Sequence, residues 1–316
     1  MLKCLALCGC LMVANGQTPG RQIDIGAESA PLTDAQRESL AAAVSSHNFA
    51  NERSVLIAAI ASHPQSADLY AVLGRLAFLE KHPGEAASAF EKADELRRLD
   101  PKDRETMALS YAFSHDSDKA RSQLQRLERE FPSKADYPFM LGRVEEQLGR
   151  LEAAIGEYGR AIAIDKNLLA AYHQEGGCQE RLGKPEDARK TYEQAVVVNQ
   201  TLQNRSPWPA LDLGALEEES GNLAEAEKHI RNALSQAPNS YQAHYRLGMV
   251  LEKDMKNNEA LEEFRKAAAA NHFYAPAYFA LGRIYGKLGK TEEAKQALTR
   301  FRELKSEPNH GGSPQN

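Results

Sequence analysis

Tyr278-Phe279-Ala280-Leu281-Gly282-Arg283-Ile284-Tyr285-Gly286-Lys287-Leu288-Gly289-Lys290 is the stretch on which the fold turns. Its central glycine belongs to a series: Gly142, Gly176, Gly214, Gly248 and Gly282 are separated by 34, 38, 34 and 34 residues. Alanine runs in parallel, with Ala86, Ala120, Ala154, Ala188, Ala226, Ala260 and Ala294 separated by 34, 34, 34, 38, 34 and 34. Both series take the same four extra residues at the same place, so they share one register. A fixed period of this length marks an array of stacked structural repeats.

Each repeat is numbered from 1 to 34, with units starting at Thr33, Ala67, Pro101, Ala135, Leu169, Pro207, Tyr241 and Ala275. Small or apolar residues fall at positions 4, 7, 8 and 11, as in His244, Leu247, Gly248 and Leu251 or Tyr278, Leu281, Gly282 and Tyr285. That is the stripe of an amphipathic helix. A second stripe falls at positions 20, 24 and 27, as in Ala154, Tyr158 and Ala161 or Ala260, Phe264 and Ala267. Between the stripes lie Leu148-Gly149-Arg150, Leu182-Gly183-Lys184, Ser220-Gly221-Asn222 and Leu288-Gly289-Lys290. Glycine just past a helix takes the left-handed conformation that caps the last carbonyls. Each unit is therefore predicted as helix, tight turn, helix.

Glycine inside a helix costs roughly 1 kcal/mol against alanine, so the six at position 8 need a compensating contact. The expectation is that position 8 faces Ala at position 20, with the position 24 ring beside them. Pro64, Pro132 and Pro238 at position 32 stop the second helix, because the missing amide and the ring clash end helices.

Leu-Gly at 7 and 8, an aromatic at 4 or 11, Ala at 20, an aromatic at 24, Ala at 27 and Pro at 32 resemble the tetratricopeptide repeat. The resemblance covers residues 33–308, eight units and an insert at 203–206. It implies an all-α, right-handed superhelical solenoid whose first helices line a concave groove. Two units depart from the pattern. The first has Ser39-Leu40 for Leu-Gly and Glu52 for Ala; the third has Arg104 at position 4 and Ala108 at position 8. Both are expected as looser hairpins, the first as an N-terminal cap.

In this family positions 2, 5, 9, 12 and 13 of the first helix face the groove. The resemblance thus nominates Arg75, Phe139, Arg143, His173, Trp208, Leu211, Tyr245, Met249, Phe279 and Arg283 as partner contacts. Aromatic, methionine and arginine side chains are enriched in interfaces. Arg75, Arg143 and Arg283 each follow a Leu-Gly and either grip partner carboxylates or simply carry the helix into solvent. The carboxylate-clamp subset of the family needs lysines and asparagines at set groove positions; position 9 here holds Arg75, Leu109, Arg143, Gly177, Ala215, Met249 and Arg283 instead.

The chain has 316 residues and a formal charge of −5. That charge argues against nucleic acid as the main partner, which wants a basic face. Lys3 followed by the apolar run Cys4–Ala14 and then Asn15-Gly16-Gln17 reads as a secretory signal peptide over 1–16. It places the mature protein in the bacterial periplasm or outside the cell. Lipid attachment at Cys10 and an uncleaved apolar tail are the other two readings. The run is too short to span a bilayer, which takes about 20 residues. Residues 17–32 are expected as a flexible lead-in and 309–316 as a disordered tail. Cys178 is the one cysteine beyond the leader, a half-buried small apolar residue in this reading.

Catalytic signatures do not appear. There is no phosphate-cradling glycine loop, no Gly-x-Ser-x-Gly and no His-Glu-x-x-His. Glu145-Glu146 and Glu217-Glu218-Glu219 read as solvated helix faces. No metal or cofactor is implied. Asn199-Gln200-Thr201 and Asn204-Arg205-Ser206 are glycosylation triplets, relevant in a eukaryotic source. Trp208, flanked by Pro207 and Pro209, either packs its ring over the insert, as a large apolar ring usually does, or stands exposed as a partner anchor. The function expected is an exported, non-enzymatic scaffold that binds a peptide or partner protein in envelope assembly or transport. A self-assembling structural protein and a non-catalytic subunit of an enzyme complex are the alternatives.

Overall fold

A computed structural model describes residues 30–39 and 50–306. The expected signal peptide (1–16), nearly all of the expected lead-in and the expected tail (309–316) lie outside the described residues. Fifteen α-helices with defined bounds follow residue 50, and the described residues contain no strand. The chain divides into two compact units, residues 1–165 and 166–316.

The first unit holds α1 (Ala50–Ser62), α2 (Ala67–Leu79), α3 (Pro83–Leu96), α4 (Pro101–Phe113), α5 (Ser117–Glu130), α6 (Asp136–Gln147) and α7 (Leu151–Ile164). The second holds α8 (Leu169–Arg181), α9 (Pro185–Thr201), α10 (Trp208–Glu219), α11 (Leu223–Gln236), α12 (Tyr241–Lys253), α13 (Asn257–Ala270), α14 (Ala275–Lys287) and α15 (Thr291–Ser306). Within each unit the plan is the one the period implies. Each first helix pairs with the second helix of its own repeat, as α2 with α3 or α12 with α13, and that second helix packs on the next repeat. First helices also touch directly, α2 on α4 in one unit, α8 on α10 and α10 on α12 in the other. Among the described residues no helix is long and apolar enough to cross a membrane.

The small-residue register has both expected neighbours at position 8, with the side chain at 24 closer than the alanine at 20. A Cβ placed on Gly142 would stand 2.6 Å from the Tyr158 ring, and one on Gly248 would stand 2.6 Å from Phe264. A Cβ on Gly214 would stand 3.4 Å from Ala226 O and one on Gly282 3.5 Å from Ala294 O. Position 8 is therefore empty chiefly to seat the side chain at 24, with Ala at 20 admitting the backbone behind it. Ala108 stands where six repeats have glycine, opposite the smaller Leu124, and both are buried. The third hairpin nonetheless has the sparsest pairing of the seven whose two helices are described, as expected of the looser unit.

Seven turns share one geometry. Gly149, Gly183, Gly221 and Gly289 have φ between 70° and 82°, while Lys81, His115 and Met255 occupy the same repeat position with φ of 63°, 65° and 61°. The amide after each closes the helix, as Lys256 N–H donates to Leu251 O at 2.9 Å. A non-glycine residue in this region costs roughly 1–2 kcal/mol. Met255 is 76% exposed, so its side chain returns little. Met255→Gly is expected to raise stability by about 0.5–1 kcal/mol, once glycine's greater freedom in the unfolded chain is discounted. Denaturant unfolding of the two proteins checks the sign.

The N-terminal boundary also differs. Thr33 and Gln36 form a reciprocal capping box, Thr33 N–H to Gln36 Oε1 at 2.8 Å and Gln36 N–H to Thr33 Oγ1 at 3.3 Å. Just before it, Ala30 and Leu32 are buried with Leu56, Leu69, Val72 and Leu76. The end of the expected lead-in is thus part of the first core.

Candidate partner-binding face

Side chains that bridge consecutive first helices define one continuous face in the second unit. His173 on α8 places Nδ1 2.8 Å from Asp212 Oδ2 on α10. Glu218 on α10 receives Lys253 Nζ at 2.8 Å and Arg246 at 3.5 Å, both from α12. Glu252 on α12 receives Lys287 Nζ at 2.7 Å and Arg283 Nε at 3.0 Å from α14. The two lysines stand 35 residues beyond their glutamates, one repeat plus one position. The same rung is thus built twice.

Glu145, Glu217 and Glu218 were expected on solvated helix faces. Instead they are buried, as is Glu252. The cause is a partner from a neighbouring repeat. Arg121 Nε donates to Glu145 at 2.6 Å, and Arg189 pairs with Glu217 in the equivalent place of the other unit. A buried carboxylate is tolerated only when paired and hydrogen-bonded.

The nominated contact residues fall into four groups. Phe139 and Leu211 are core: Phe139 lies 5.7 Å from the Tyr158 ring and Leu211 belongs to the buried cluster of the second unit. Position 5 points toward its own hairpin's second helix, as Tyr245 does, 5.9 Å from Phe264. That is why groove exposure fails at 139 and 211.

The arginines are committed within the chain. Arg75 grips Asp103 of the next repeat through Nε and Nη2 at 2.7 and 2.6 Å, and Asp103 is buried. Arg283 pairs with Glu252, and Arg143 lies 3.9 Å from Glu146. Neither expected role, a grip on partner carboxylates or a plain exit to solvent, describes Arg75.

What remains exposed lies in the second unit. His173 has a half-exposed side chain, Trp208 is 50% exposed and Phe279 45% exposed. The Trp208 ring is therefore not covered by the insert. The insert is held instead by Asn199, whose buried amide donates to Ser206 O at 2.7 Å and accepts from Ser206 N at 2.8 Å. Asn199 is consequently closed to glycosylation in the folded protein. Cys178 is fully buried rather than half-buried.

Tyr245 and Met249 are partly buried beside the exposed residues. Tyr245 meets Tyr274 edge-on at 5.3 Å, and Met249 Sδ accepts from Arg283 Nη2 at 3.2 Å. Burial pushes the Tyr274 hydroxyl up to about 12, so it stays neutral. Burial also raises Glu180, although the hydrogen bond from Tyr192 opposes that shift. Glu180 shares its surroundings with Asp212 and Glu219, whose charges raise it further.

Sequence reasoning missed the rungs at Glu218, Glu252, Lys253 and Lys287. The signal was present: position 12 is glutamate in four consecutive repeats, Glu146, Glu180, Glu218 and Glu252. Among the described residues no group of three His, Cys, Asp or Glu could hold a metal ion. The face offers rings, a thioether and paired charges, which is chemistry for contact.

Similar folds are known. A tetratricopeptide repeat protein from Parabacteroides merdae is 14% identical, with 77% of this chain and 95% of that one covered at a TM-score of 0.57. The pilF protein of Pseudomonas aeruginosa is 18% identical over 67% of this chain and 93% of its own, TM-score 0.54. PilW, a widely conserved type IV pilus biogenesis factor, is 16% identical over 64% and 92%, TM-score 0.54. One sequence model of the tetratricopeptide repeat matches residues 106–167 and 211–276, and a second matches 275–307. With repeat-specific sequence matches along both units and hairpins built on the same register, the chain belongs to the tetratricopeptide repeat family.

Proposed function

We propose that the protein is an exported, non-catalytic scaffold that holds an extended peptide segment or a partner helix against α8, α10, α12 and α14. The observation that carries this is the exposure of Trp208 and Phe279 on first helices whose other inward side chains are already paired. A half-exposed indole or phenyl ring on a rigid helix is poorly used by the free protein and well used by an interface. Buried aromatic anchors commonly carry about 2 kcal/mol or more each. The export half rests on the basic, then apolar, leader at Lys3–Ala14. A part in envelope assembly or transport is the role such an exported scaffold would serve.

Two measurements test the proposal. Trp208→Ala with Phe279→Ala should weaken capture of partners from an envelope extract by about thirtyfold or more, with helix content unchanged. Equal capture by the double variant removes this face from consideration. N-terminal sequencing of the cell-fractionated protein should begin at Gln17. A cytoplasmic chain with Met1 intact removes the export half.

A further inference from the structure

The third repeat carries a second candidate site, outside the first-helix face of the second unit. Position 4 is aromatic in three other repeats, at Tyr70, Tyr172 and Tyr278, but here it is Arg104. Arg104 is 6% exposed. Its two terminal nitrogens donate to Glu130 at 2.8 and 2.7 Å, while its Nε is a buried donor with no acceptor. Arg104 forms part of the wall of a cavity of about 420 Å³ between the end of α3 and the outer turns of α5. Asp94, Arg98, Gln123, Arg126, Arg129 and Glu130 complete that wall.

Charge in the cavity is unbalanced. Four guanidinium groups face two carboxylates. Glu130 is spent on Arg104 and Arg98 together, and Asp94 accepts the Leu99 amide at 2.8 Å. Arg126 and Arg129 are exposed side chains on one face of α5, and Arg129 commits only its Nε, to Gln125 O at 3.2 Å. The planar donor forks of arginine match phosphate oxygens two at a time. The volume lies within the span of small-molecule sites, about 300–1,000 Å³.

We propose that this cavity binds a phosphate or diphosphate group, held by Arg126 and Arg129, with the Glu130-paired Arg104 guanidinium in its wall. Two positive charges with no carboxylate left to face them are costly for an empty surface. An anion with several acceptor oxygens removes that cost. Two sources share this chemistry, a small soluble phosphate and a phosphomonoester lipid headgroup.

Titration of the full chain with pyrophosphate by calorimetry, at fixed ionic strength, is the test. Saturable one-to-one binding is expected, weakened on the order of tenfold by Arg126→Gln with Arg129→Gln. Both residues are exposed, so the variant should melt like the parent. With O-phosphoserine as the probe, affinity should rise between pH 5.5 and 7.5 as the ligand loses its second phosphate proton near pH 6, because arginine stays charged throughout. Competition by vesicles carrying phosphatidic acid identifies a lipid source, and its absence identifies a soluble one. No saturable binding, or equal binding by the double variant, overturns the proposal.

Discussion

Replacing Arg75 with methionine is expected to destabilise the first unit by about 3–5 kcal/mol, the loss seen when one partner of a buried ion pair is removed. Asp103 is the reason. Its side chain is 4% exposed and accepts both a 2.7 Å and a 2.6 Å bond from the same guanidinium. Methionine replaces the stem of arginine but leaves that carboxylate buried without its cation. Arg75→Met with Asp103→Leu should recover most of the loss, because removing both charges abolishes the desolvation penalty as well as the attraction. Hydrogen exchange of the α2–α5 amides in the full chain reads the effect locally. Unchanged exchange in Arg75→Met would mean that Arg75 is a free surface residue, as its nomination for partner contact required.

The helices and their turns were legible because the period repeats them. Any single glycine is ambiguous, but the 34-residue recurrence makes Gly149, Gly183 and Gly289 the same turn. Lys81, His115 and Met255 adopt that turn as well, and nothing in those residue types announces a positive φ. There the neighbouring hairpins fix the backbone and the residue submits, a tertiary override that local propensity cannot report.

The inner face was legible only in outline. Helical position predicts direction to within a turn, and position 5 lies at the margin between groove and hairpin interface. Phe139 and Leu211 are buried while Phe279, although 5.2 Å from the Phe301 ring of its own hairpin, stays 45% exposed, and all three share that position. Charge was harder still. Glu217 and Glu218 look like solvent residues until Arg189 and Lys253 arrive from adjacent repeats. A burial that depends on a partner in another repeat is invisible to any window shorter than the repeat. Arg104 differs in finding its carboxylate, Glu130, within its own repeat, at the far end of the same hairpin.

Truncating Phe264 to alanine should cost the second unit about 3–5 kcal/mol, the upper range for losing a buried ring. The value belongs at the high end because of what faces the ring. Phe264 is fully buried, and Gly248 presents no side chain to fill the space it would vacate. The void is therefore lined by backbone on a helix packed on both sides, which cannot readily collapse. Gly248→Ala sharpens the test. In the parent its Cβ would meet Phe264 at 2.6 Å, so the change should destabilise despite alanine's better helix propensity of roughly 1 kcal/mol. In the Phe264→Ala background the same methyl enters the cavity and should stabilise. A reversal of sign between the two backgrounds, measured by denaturant unfolding, is a coupling that only direct contact produces. If Gly248→Ala has one sign in both, the glycine at position 8 is not there to seat the ring at 24, and the packing account of the whole array fails with it.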